Sequence, residues 1–301
     1  MEATSVQSDR NRKSVRSICA GPITRKSLVL ATLLFSTIAS ASAVYAETIR
    51  MSGTGSSLGT MRILGDAYKK VDPTFALEIV PNLGTRGALK ALDQNALHFA
   101  VIGRPVSTDE AARGLIASEY GRTPFVLASA RKEEAGLTLS RVAEIYAGRV
   151  SRWPDGTPVR IVLRPANDGD TLLLASFSPA IKDGLSSAMA REGMVVGVTD
   201  QDSATEITRL KGGLGTTSLA LITSEKRPLY PLPIEGVMPS VQTLNDGSYP
   251  YYKAFYLVTR GKPVDAVERF SAFVQSAEGR RLLLGNGHWV DARKSVRAAP
   301  K

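Results

Sequence analysis

Met51-Ser-Gly-Thr-Gly-Ser-Ser-Leu-Gly-Thr60 decides how the rest of the sequence is read. This glycine- and hydroxyl-rich stretch lies between a short apolar run, Thr48 to Met51, and a helical pattern, Thr60 to Lys70, with Met61, Leu64, Ala67 and Tyr68 on one face. Glycines at 53, 55 and 59 permit positive φ or close approach of the backbone to a bound group, and a helix that follows offers unpaired N–H donors. A strand, a glycine turn and a helix in that order predict a cradle for an anion. The spacing is neither the GxGxxG of a dinucleotide fold nor a phosphate loop ending in Lys-Ser/Thr.

The unit repeats. Phe75 to Val80 reads as a strand, followed by Asn82-Leu-Gly-Thr-Arg-Gly87 and a helix carrying Leu89, Ala91 and Leu92. Leu97 to Ile102 is a third strand, ending in Gly103-Arg104-Pro105, and Ser107 to Glu110 has the spacing of a capping box. Val159 to Leu163 is a further strand, and Arg164 and the turn Asn167-Asp-Gly-Asp-Thr171 follow it. The fold class expected is α/β, with mixed sheets flanked by helices. Ligands of open α/β sheets sit at the carboxyl ends of strands, so these turns are expected to converge on one pocket.

Further on, Thr123 to Ala130 reads as a strand, Leu139 to Ala147 as a helix and Leu172 to Ile181 as a buried helix. Ser203 to Glu206 has capping-box spacing, Gly212-Gly-Leu-Gly215 reads as a turn before a strand Ser218 to Thr223, and Tyr249 to Thr259 as an aromatic strand. Helices Pro263 to Gln275 and Glu278 to Leu284 close the pattern.

Residues 1–46 have the grammar of a signal peptide: basic residues from Arg10 to Lys26, an apolar run Leu28 to Ala43, and Val44-Tyr-Ala46 before Glu47. The protein is therefore expected in the periplasm. Cys19, the only cysteine, falls within that leader, which leaves no thiol for a disulfide, metal site or nucleophile afterwards. The formal net charge is +10, six of the 38 basic residues lie in the leader, and no basic run suggests a nucleic-acid surface. The balance favours small anions. His98 and His288, the only histidines, show neither a triad order nor a metal spacing, so no catalysis and no cofactor are expected.

In the C-terminal third, Pro239-Ser240, Asn245-Asp-Gly247-x-Tyr249-Pro250, Phe255 to Val258 and Phe273-Val-x-Ser276-x-Glu-Gly279 resemble, in order and spacing, the phosphate-binding periplasmic proteins that feed ABC importers. Leu139 to Trp153 and Lys211 to Gly215 extend the resemblance back along the chain. It implies a two-lobed periplasmic binding protein fold with the ligand cleft between lobes. On that pattern residues 47–126 with 252–292 form one lobe, 127–251 the other, and 293–301 a tail. It also implies a monomer that binds a small oxyanion, phosphate first, and delivers it to an ABC transporter permease. A periplasmic sensor or adhesion-type binding module on the same fold, with another ligand, is the alternative.

Carried over by motif, Ser57 and Leu58 stand in the first glycine loop, Thr85 in the second, and Arg164 at the ligand-binding arginine, with Arg86 and Arg104 as further positive partners. Two departures bear on specificity. Asp168-Gly169-Asp170 stands where the family has Ser-Gly-Thr, so either the carboxylates repel a dianion or they cap the next helix and leave the backbone around Gly169 to the ligand. Gly103-Arg104 stands where the phosphate specialists carry an acidic acceptor, which leaves the choice of anion open.

Overall fold

The computed structural model describes residues 47–81, 83–132 and 136–291. The expected leader, the tail, Asn82 and residues 133–135 lie outside the described residues. Strands β1 (Glu47–Gly53), β2 (Phe75–Ile79), β3 (Phe99–Ile102) and β4 (Leu115–Ser129) alternate with helices α1 (Gly55–Tyr68), α2 (Gly84–Asp93) and α3 (Thr108–Ala112). Then come α4 (Leu139–Tyr146), β5 (Arg160–Leu163), α5 (Gly169–Ala175), α6 (Pro179–Met189), β6 (Val195–Val196), α7 (Asp200–Arg209), β7 (Gly213–Ser218) and α8 (Leu219–Ser224). The chain closes with β8 (Tyr230–Pro231), α9 (Val241–Asn245), β9 (Tyr252–Arg260), α10 (Asp265–Gln275) and α11 (Ala277–Gly285).

The strands are hydrogen-bonded in the order β2-β1-β3-β9-β4-β7-β5-β6, with β8 on β4. At one end β1 runs parallel to β2 and β3, and at the other β5 runs parallel to β6 and β7. The two ends meet through the antiparallel strands β4 and β9. Residues 115–124 of β4 pair with β9, with a register shift between Glu119 and Gly121, and residues 125–129 pair with β7 or β8. Both faces carry helices, as the parallel ends of the sheet require.

Four apolar clusters fill the layers. On the β1 side, Phe75, Phe99 and Phe270 pack with Tyr68, the Phe75 and Phe270 rings stacking at 5.1 Å, while Leu89, Leu92 and Ile102 fill the other face. On the β5 side, Val142, Tyr146 and Ile181 cover one face, and Ala204, Ile207 and Leu221 the other. Trp153 and Tyr249 are packing residues: the indole donates to Gly212 O at 3.0 Å and the Tyr249 hydroxyl to Phe125 O at 2.8 Å.

Several local expectations change. The helix expected from Thr60 begins at Gly55, so the glycine stretch is itself the first turn of α1. The single helix expected over Leu172 to Ile181 is two, because Ser178 caps a new helix with Pro179 at its first position. Ser203 is inside α7, whose capping box is Thr199 with Asp202. Gly213 to Ser218 is the strand where a glycine turn was expected, and Leu219 to Ser224 is a helix where the strand was expected. The glycines serve packing there, since a Cβ on Gly215 would lie 2.7 Å from Ile207 Cδ1 of α7.

His288 lies in the irregular segment after α11 and packs into the core. It is fully buried beside Tyr120 and Phe255, with Nε2 3.0 Å from Thr60 Oγ1, and burial pushes its pKa down to about 3. The unfolded chain takes up a proton near pH 6.5 that the native state refuses, so this group's contribution to stability falls as pH drops from about 6.5 toward 3. Urea unfolding across that window should show a steeper loss in the wild type than in His288→Gln. Parallel losses would mean that His288 is not held neutral in the core.

Candidate ligand cleft

A cleft of about 570 Å³ opens where the carboxyl ends of β1, β3 and β5 meet the start of β9. The turns that follow the strands ending near 51, 80, 102 and 163 all reach it. Thr85, Arg86, Arg104, Arg164, Asp168, Gly169 and Asp170 all line it. A cavity of about 40 Å³ beside Tyr120 and Trp289 has room for no more than a few waters.

Helix ends explain why the cleft suits an anion. Eight helices have an N-cap side chain accepting from their first turn: Ser107, Thr138, Asp168, Ser178, Thr199, Ser218, Ser240 and Ser276. α1, α2 and α10 have none, and the first turns of α1 and α2 line the cleft. Gly84, at φ +63°, turns the chain into α2 in a conformation that a side chain would strain. The positive end of the α2 dipole thus faces the cleft.

The floor is a buried network of ionised side chains. Lys253, in β9, places its Nζ 2.5 Å from Asp170 Oδ1, 3.4 Å from Asp200 Oδ1 and 3.0 Å from Ser56 Oγ. Asp200 Oδ1 also accepts from Ser56 Oγ at 2.7 Å, and Oδ2 from Thr54 Oγ1 at 3.4 Å. Arg164 grips Asp168 with two nitrogens, at 2.9 and 3.2 Å, and donates to Gly197 O at 2.9 Å.

Burial opposes the charges of Lys253 and Arg164, but the aspartates around each outweigh it and both pKa values rise. Burial also works against the Asp200 carboxylate, and there Lys253 and Arg164 prevail and lower its pKa. Three carboxylates against two cations leave one negative charge in excess. Burial, with Asp200 and Asp168 nearby, raises the Asp170 pKa against the pull of Lys253, so the charged form is least favoured there. Its Oδ2 has no hydrogen-bond partner among the described residues.

Other predicted site residues fare differently. Arg104 is exposed and held by Glu110, both nitrogens at 2.7 Å, and that contact holds the Glu110 carboxyl down to about 2. Arg86 is exposed in the first turn of α2. Ser57 and Leu58, expected at the ligand, do not line the cleft: the Ser57 hydroxyl donates to Thr54 O at 2.8 Å, and Leu58 belongs to the core. None of Gly53, Gly55 and Gly59 has positive φ. A Cβ on Gly55 would instead lie 2.9 Å from Asp200 Oδ2, so the first glycine cradle already holds a carboxylate of the protein itself.

Asp168 does cap α5, its Oδ1 accepting from Asp170 N at 3.0 Å, but the carboxylate still borders the cleft. Sequence reasoning missed Lys253 and Asp200. A lysine inside an otherwise apolar, aromatic strand was the available signal.

An α/β sheet whose helix N-termini and basic side chains gather at one cleft defines a solute-binding architecture. The chain belongs to the PBP superfamily, whose domain profile matches residues 39–278. No curated protein matches the sequence. Among solved structures, a Clostridium perfringens protein assigned as a phosphate ABC transporter substrate-binding protein, with bound phosphate, superposes with TM-score 0.68 at 16% identity over 81% of this chain and 99% of its own. An ABC-type phosphate transport receptor from Vibrio cholerae gives 0.56 at 17% identity, covering 80% and 99%. PfluDING, a high affinity periplasmic phosphate-binding protein bound with phosphate, gives 0.61 at 14% identity, covering 81% and 90%. At such identities the likeness is one of fold, the two-lobed periplasmic binding protein architecture.

Removing one member of a buried ion cluster costs about 3–5 kcal/mol, because the remaining charges stay buried and unpaired. Lys253→Met should therefore lower the melting temperature by on the order of 10 °C at neutral pH. A shift of a degree or two would show that the ammonium does not hold the two aspartates.

Proposed function

We propose that this protein is the exported solute-binding subunit of an ABC importer and that its cleft takes a small oxyanion, phosphate being the leading candidate. The observation that carries this reading is the N-terminus of α2, which has no side-chain cap from its N-cap residue Leu83, facing one cleft together with Arg86 and Arg164. An anion there satisfies N–H groups that nothing in the α2 turn caps, and meets guanidinium groups able to form charge-assisted bonds. The phosphate-bound relatives and the family support the same reading. No histidine lines the cleft, and the family holds solutes, so binding rather than turnover is the proposed activity.

On this reading residues 47–126 with 252–292 and residues 127–251 act as the two lobes, β4 and β9 being the crossings between them. A solute touching both lobes favours the closed form, and closure gives a permease a shape to recognise.

Asp168 is the obstacle within the site, because it occupies the Arg164 fork that an oxyanion would use. Calorimetry of refolded, ligand-stripped protein should give heat with at least one of phosphate, sulfate, molybdate and a phosphonate, and silence with all four would end the oxyanion reading. Asp168→Asn should tighten the bound anion by about 10-fold or more by freeing Arg164, while losing ~0.5–2 kcal/mol of stability with the weakened cap. Arg164→Ala should weaken it by at least about 10-fold.

A further inference from the structure

The mouth of the cleft differs chemically from its floor. Leu83, Leu172, Val198 and Tyr252 line it with 37%, 58%, 67% and 38% of their surface exposed, among the few large apolar side chains that the described fold leaves to water. They come from four separate segments: the residue capping α2, the first turn of α5, the turn into α7 and the start of β9. Tyr252 is braced by the Arg122 guanidinium, 4.9 Å from its ring centroid. A bare inorganic anion gives these side chains nothing to cover, and exposed apolar groups gathered around a concave site mark a surface that binds something apolar.

On the floor, Asp200 lies against the first turn of α1 and Asp168 fills the fork of Arg164, which is only 6% exposed. The open positive positions are nearer solvent, at the uncapped first turn of α2 and at Arg86 within it, directly after Leu83. A volume of about 570 Å³ lies within the ~300–1,000 Å³ usual for pockets that take organic ligands.

Resting on the oxyanion reading of this cleft, we infer that its solute is an organic phosphoryl anion, an alkylphosphonate or alkyl phosphate monoester, rather than inorganic phosphate. The PO₃ group binds at the start of α2 with Arg86, and the alkyl substituent lies along Leu172, Val198 and Tyr252.

The test is calorimetry on the ligand-stripped protein with inorganic phosphate and with methyl-, ethyl- and propylphosphonate. Each methylene buried at the mouth should tighten binding about fourfold, so propylphosphonate should bind roughly sixteenfold tighter than methylphosphonate, and tighter than phosphate. The double variant Leu172→Ser, Val198→Ser, checked for an unchanged melting temperature, should flatten that series. A flat series in the wild type, or one weaker throughout than phosphate, overturns the inference and leaves the oxyanion reading standing. Absence of heat with phosphate and with every phosphonate removes both. A series that stays steep in the double variant overturns the assignment of the alkyl group to this mouth.

Discussion

The ammonium of Lys253 is the contact on which the arrangement of this protein depends. It projects from β9, the strand shared between the parallel ends of the sheet, and meets Asp170 of α5, Asp200 of α7 and Ser56 of α1. Three helices from different parts of the chain are thereby fixed to one charge. The energetic logic is severe, because every member has left water and each is tolerable only while the others remain. The result is a rigid ionic floor, with the freedom to accept a solute left to the parts of the cleft that this network does not occupy.

That floor also changes what the glycine stretch at 51–60 accomplishes. Its composition suits the approach of an anion to a helix N-terminus, and an anion is there, but it is Asp200, delivered from 144 positions away from Ser56 and hydrogen-bonded to it. The stretch obeys the physics that motivates the reading, with a different occupant. An internal carboxylate costs no association entropy, so once present it holds its place against any free anion of similar charge.

Elements with strong local signals were legible in the sequence. The capping box at Ser107 and Glu110 forms as spaced, α4 and the two C-terminal helices follow their apolar periodicity, and Arg164, Thr85 and the Asp168-Gly169-Asp170 turn share the cleft that strand-end reasoning expected. What stayed hidden depends on contacts between distant segments. β7 is glycine-rich because α7 presses on it, and a local reading takes those glycines for a turn. Ser57 looks like a ligand hydroxyl until the backbone of Thr54 claims it. Lys253 and Asp200 stand 53 residues apart, and neither carries a local pattern that names its partner. In the aromatic run Tyr249 to Tyr252, only the start of β9 at the cleft sets Tyr252 apart from its packing neighbours Tyr249 and Tyr251.

The β4–β9 pair has a mechanical consequence. Both strands run unbroken from one parallel end of the sheet toward the other, hydrogen-bonded from Leu115–Arg260 to Pro124–Tyr252, with one irregularity at Glu119–Gly121. A connection of this kind behaves as a leaf spring, in contrast to a flexible tether. Rotation of one end against the other has to be stored as twist in a paired ribbon, whose restoring force grows with angle, and the bulge is where the ribbon bends at least expense of hydrogen bonds. On the proposed reading, a solute that closes the cleft bends this paired ribbon and works against its hydrogen bonds instead of against the disorder of a loop.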